Sequence, residues 1–140
     1  MLEAGQIQSF KDHGYLILPG FVGSDLVHTW REQFWAHIGC SIDEPDQWPD
    51  RVEGFAPDPV FGDLPDLQAI AKQFGGGHFQ GGGCGVQVRW PQSDGEWTMP
   101  DSGHLDGYPG EGCQAVLMMG ATTYLYDVEP GGGAYVYWPS

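Results

Sequence analysis

His104 and Asp106 sit two residues apart in "HLDGYPGEG" (104–112), followed by Gly107 and Tyr108. On an extended segment, residues i and i+2 project to the same face, so an imidazole nitrogen and a carboxylate oxygen can reach one point. Gly107 lets the backbone turn tightly beside that point. The donor pair suits a transition metal. One histidine, one carboxylate and a second, distant histidine form the facial set that holds non-haem Fe(II) and leaves three positions open. Two ligands are too few, so the third has to come from elsewhere. His28 and His37 share a helix-forming stretch, but nine residues at about 100° each place them on opposite faces. His13, His28, His37 and His78 each read as surface or locally satisfied histidines, and no histidine follows His104.

Other chemistries find less support. "GGGHFQGGGCG" (75–85) is dense in glycine, but a phosphate loop needs a helix N-terminus after it, and a strand-like segment follows instead. A flexible connector is the expectation there. No serine occupies a Gly-x-Ser-x-Gly elbow, and Cys40, Cys84 and Cys113 carry no local catalytic motif.

Charge narrows the partners. The chain has 140 residues, with 19 Asp and Glu against 5 Lys and Arg, a formal net charge of −14. Phosphate-backbone binding needs clustered Lys and Arg, so nucleic acid is not an expected partner. An anionic membrane surface is disfavoured for the same reason. Cysteines that are sparse and odd in number, with no zinc-site spacing, point to a reducing, cytoplasmic setting. The opening "MLEAGQIQSF" lacks a basic region followed by an apolar stretch, so no signal peptide is expected there, and no apolar run approaches a membrane span.

The elements that must position these residues read in order along the chain. Residues 3–13 form a short helix with Ile7 and Phe10 on one face, and "YLILP" (15–19) reads as a strand. A stronger helix follows, with Ser24 as cap, Asp25 in its first turn and Gly39 as its stop. Leu26, Trp30, Phe34 and Ile38 form its inward stripe. Residues 40–62 hold Pro45, Pro49, Pro57 and Pro59 and form a long loop, whose Trp48, Phe55 and Phe61 pack on something. Asp63 and Asp66 resemble a capping box for a third helix, buried through Leu67, Ile70 and Phe74 and ended by Gly75. Beyond the glycines, "CGVQVRW", "CQAVLMMG", "TTYLYDV" and "AYVYW" are short β-branched or aromatic runs between turn residues, a strand-and-turn pattern. Helices first and sheet second is the order of an α+β protein.

With these residues in place, the chain resembles the phytanoyl-CoA dioxygenase family of Fe(II)/2-oxoglutarate-dependent oxygenases. "FKDHGYLILPGFV" (10–22) is similar to the family's opening helix, strand and Pro-Gly-Phe turn. "HLDG" (104–107) is similar to its metal motif, and "YLYDVEPGGGAYVYWPS" (124–140) to the strand, glycine turn and strand that follow. The resemblance implies an α+β fold in which N-terminal helices pack on an incomplete double-stranded β-helix, a jelly-roll sandwich. Residues 1–140 would form a single truncated domain, 1–78 mainly helical with a long loop and 79–140 mainly strands. It implies His104 and Asp106 as iron ligands, with Fe(II) and 2-oxoglutarate as cofactors and a small-molecule substrate. Gln87 and Arg89 share a face just before the motif and become candidates for holding the cosubstrate, since a guanidinium suits its carboxylate. An edge salt bridge is the plainer role for Arg89.

The family carries its distal histidine, and an arginine that grips 2-oxoglutarate, on later strands with no counterpart up to Ser140. The fold needs about eight core strands, more than the runs counted above supply. The expectation is therefore an incomplete catalytic domain of a dioxygenase that oligomerises through exposed sheet edges. The alternative is a non-catalytic fragment or assembly with a weak or vestigial metal site. Another subunit, or a non-homologous residue such as His78, could supply the missing ligand.

Overall fold

The computed structural model describes residues 1–75, 81–91, 119–129 and 134–137. Three α-helices organise them: α1 (Ala4–His13), α2 (Ser24–Ile38) and α3 (Pro65–Gly75). Single 3-10 turns at Pro45–Gln47 and Phe61–Asp63 punctuate the loop between α2 and α3.

The inward stripe of α2 is the centre of the molecule. Trp30 is 1% exposed and Phe34 5%, while Leu26 and Ile38 at the two ends of the stripe are half-buried. The long loop folds back over this stripe. Phe61 meets Trp30 edge to face at 6.1 Å, and Phe55 meets Phe34 at 5.4 Å. Polar groups fasten the same contact: the Trp30 indole donates to the Pro59 carbonyl at 2.9 Å. Gln33 clamps Asp58 from both sides, accepting its N–H at 2.8 Å and donating to its carbonyl at 2.7 Å. These contacts hold the loop against α2 at Asp58, Pro59 and Phe61 without regular structure of its own.

α1 and α3 pack against each other through Phe10 and Phe74, whose rings lie 4.5 Å apart. Leu2 is buried beside them, and its N–H and C=O are both taken by the Gln73 side chain, at 2.8 and 3.2 Å. The helix ends follow local rules. Gly14 and Gly39 adopt left-handed φ of 78° and 75°, and their N–H groups return to Phe10 and Trp35. Two expected caps differ. Gly23 is the N-cap of α2, and Ser24 enters the first turn, its hydroxyl directed to the Asp25 carboxylate. Asp63 spends its carboxylate on the Gly83 N–H at 2.9 Å, so it ties a distant segment to the 3-10 turn. Capping is a local preference, and a partner brought by the fold outcompetes it.

The expected α+β fold is overturned. None of the described residues forms a strand, and the described structure is helical, with no sheet or jelly-roll sandwich beneath the helices. "YLILP" (15–19) is irregular, as are the described parts of "CGVQVRW", "CQAVLMMG", "TTYLYDV" and "AYVYW". Exposure nevertheless alternates along two of these segments. Val86, Val88 and Trp90 are half-buried while Gln87 and Arg89 are exposed; Thr123 and Leu125 are half-buried while Tyr124 and Tyr126 are exposed. Alternation makes a segment extended and two-faced. A strand also needs a ladder of backbone bonds to a neighbour. Here the backbone bonds to side chains instead: Gly83 to Asp63, the Leu125 carbonyl to the Arg31 Nε–H, and the Tyr135 N–H to the Tyr124 hydroxyl.

Candidate functional site

α2 forms one side of an open cleft among the described residues. Trp30 and Phe34 point into the core, so Arg31, one step of about 100° further round, emerges at its rim. One wall of the cleft runs along α2 through Ser24, Val27 and Arg31. The opposite wall is Tyr124, Tyr126, Asp127 and Val128, closed by Ala134. The cleft is open to solvent, and its volume is about 450 Å³, within the range of about 300–1,000 Å³ common for small-molecule pockets.

Arg31 is held on two sides. Its Nε–H donates to the Leu125 carbonyl, and its guanidinium carbon lies 4.4 Å from the centre of the Tyr126 ring. Tyr126 is itself fixed, its hydroxyl accepting the Trp35 indole N–H at 2.6 Å. Trp35 continues into an aromatic cluster with Trp48 and Trp90, whose rings stack at 4.7 Å. Every indole in the cluster has a partner, Trp48 donating to Ser41 and Trp90 to Pro49. This cluster docks the segments around Trp90 and Tyr126 onto α2, and so places the far wall of the cleft.

His104 and Asp106 lie outside the described residues, as do His78 and Cys113. Gln87 and Arg89 are described and stand on the exposed side of the same extended segment, as the i, i+2 rule requires. The Arg89 guanidinium donates to the carbonyl of its own neighbour Val88 at 3.1 Å, and it makes no ion pair among the described residues. The remaining histidines are engaged locally. His13 Nδ1 lies 2.8 Å from the Ser9 carbonyl, His28 pairs with Glu32 at 3.3 Å, and His37 Nε2 lies 2.8 Å from the Glu53 carbonyl. Among the described residues no group of three or more His, Cys, Asp or Glu could hold a metal ion.

Sequence reasoning missed Arg31 and the cleft in front of it. The signal was faint: an arginine directly after a core tryptophan, in a chain with few cations. The wall it faces comes from residues more than ninety positions away. No described helix is long and apolar enough to cross a membrane. The chain matches no family model, no curated protein and no solved structure.

Proposed function

We propose that this chain derives from the Fe(II)/2-oxoglutarate-dependent oxygenases, with His104 and Asp106 as two ligands of the iron. The observation that carries the reading is the ordered set of the His-x-Asp motif and the downstream "YLYDVEPGGGAYVYWPS". The donor types fit the metal: an imidazole and a carboxylate are two of the three ligands of a facial iron site. Iron with 2-oxoglutarate would supply O2 activation for hydroxylating a carbon–hydrogen bond. The chain's own contribution lies in binding. Arg89, exposed and bonded only to its neighbour's carbonyl among the described residues, offers a guanidinium to a cosubstrate carboxylate, and Gln87 stands beside it. His13, His28 and His37 already have partners, so His78 is the histidine to test as third ligand.

The test is anaerobic titration of the chain with Fe(II) and 2-oxoglutarate, following the metal-to-ligand charge-transfer band. The expected result is a band that Asp106→Ala removes, His78→Ala weakens, and Arg89→Gln shifts to higher 2-oxoglutarate concentration. No band in the unaltered chain sinks the reading.

A second reading is favoured by the irregular backbone at the expected strands: a non-catalytic assembly with a weak or vestigial metal site. It predicts iron binding without the 2-oxoglutarate band. Both readings place the chain in the cytoplasm, away from nucleic acid, and the first adds a small-molecule substrate. Self-association draws its support from exposed Ile17, Ile42 and Tyr135, and sedimentation equilibrium measures it.

A further inference from the structure

We propose that the cleft between α2 and residues 124–128 binds a small zwitterion, with Arg31 taking its carboxylate and Asp127 its ammonium. The proposal does not depend on iron or on the oxygenase reading.

Arg31 carries the argument. In a chain with 19 Asp and Glu, this arginine has no carboxylate within the 4.0 Å of an ion pair among the described residues. A half-buried arginine can be balanced by an acidic neighbour. Instead its Nε is spent on a backbone carbonyl and one face is covered by Tyr126. The edge left over is the pair of terminal nitrogens, which make no hydrogen bond among the described residues. A guanidinium fixed in this way presents parallel N–H groups to a ligand with little entropy left to lose. Clamping an arginine through Tyr126, and Tyr126 through Trp35, is pre-organisation of a binding group.

Asp127 decides which carboxylate-bearing ligand fits. It lines the same cleft and likewise makes no ion pair among the described residues. A dianion would meet Asp127 at close range and the field of a chain with formal net charge −14 beyond it. A zwitterion carries no net charge, so it avoids that field while satisfying both side chains. The Tyr124 hydroxyl accepts the Tyr135 N–H at 2.7 Å and keeps its own proton to donate. Val27, Val128 and Ala134 add apolar lining for the body of the ligand. The chemical class is therefore an amino acid, with the spacing of its two charges left to the measurement.

The experiment screens the full chain by thermal shift against the standard L-amino acids together with β-alanine, γ-aminobutyrate and ε-aminocaproate. Calorimetry then compares the tightest binder with its methyl ester, which keeps only the ammonium, and its N-acetyl form, which keeps only the carboxylate. Each derivative is expected to bind about ten- to a hundredfold more weakly, the loss of one charge-assisted contact. Arg31→Gln should erase the discrimination against the ester, and Asp127→Asn the discrimination against the N-acetyl form. Asp127 is exposed, so its variant remains informative if Arg31→Gln does not fold by circular dichroism. The proposal is overturned if no compound stabilises the chain. It is equally overturned if either derivative matches the parent, or if Asp127→Asn leaves the discrimination intact.

Discussion

Trp30 shows how much a single residue contributes here. Among the described residues it is the one large side chain buried almost completely, and it also holds the loop through its bond to Pro59. Trp30→Ala removes the packing and leaves the Pro59 carbonyl without its donor. The expected loss is about 3–5 kcal/mol, read as a lower midpoint in urea. Trp30→Phe keeps most of the ring and should cost less, which separates packing from the hydrogen bond. At the same scale, Asp106→Ala is expected to abolish the iron–2-oxoglutarate band while leaving the helical circular dichroism unchanged. A global loss of helix in that variant would show that Asp106 acts on folding and not on metal.

The helices obey local rules well enough to be tuned at their ends. Gly39 closes α2 at φ 75°, a left-handed conformation that costs a residue with a Cβ about 1 kcal/mol. Gly39→Ala should therefore lower stability by that amount. Gly5 lies within α1 at ordinary φ with open space around its Cβ position. Gly5→Ala should raise stability by up to about 1 kcal/mol, because it restricts the unfolded chain. The two substitutions are chemically identical and opposite in sign, and urea melts of both variants check the pair. If both destabilised the chain, the open space beside Gly5 would be wrong.

At the scale of the whole molecule, aromatic stacking joins the segment 81–91 to the helices. Trp90 stacks on Trp48, lies 6.2 Å from both Phe34 and Trp35, and donates to Pro49. The Asp63–Gly83 bond and the Gln68 amide, which reaches the Gly62 carbonyl at 2.5 Å and the Gly81 carbonyl at 3.3 Å, secure the other end. Trp90→Ala should release this segment while the three helices persist. Limited proteolysis should then cut near Arg89 many times faster, with little change in far-ultraviolet circular dichroism. Equal cleavage of variant and parent would place the anchor elsewhere.

The helices were legible in the sequence because their cause is local. Leu26, Trp30, Phe34 and Ile38 repeat every four residues, Asp25 sits in the first turn, and Gly39 stops the helix where expected. The aromatics of the long loop announced that it packs, and Phe55 and Phe61 do so on α2, while Trp48 joins Trp35 and Trp90. The His104 and Asp106 pair, expected from its spacing, lies outside the described residues. The β-branched and aromatic runs around 86–90 and 123–126 implied strands that the described residues do not form, although exposure alternates along both. Periodicity records how one segment divides between core and solvent; it holds no information on whether a second segment offers a matching backbone edge. The same limit hid Asp63's bond to Gly83, and it hid the cleft. Arg31 meets Leu125 and Tyr126 across more than ninety residues of chain, and only the tertiary structure brings two groups so distant in sequence together.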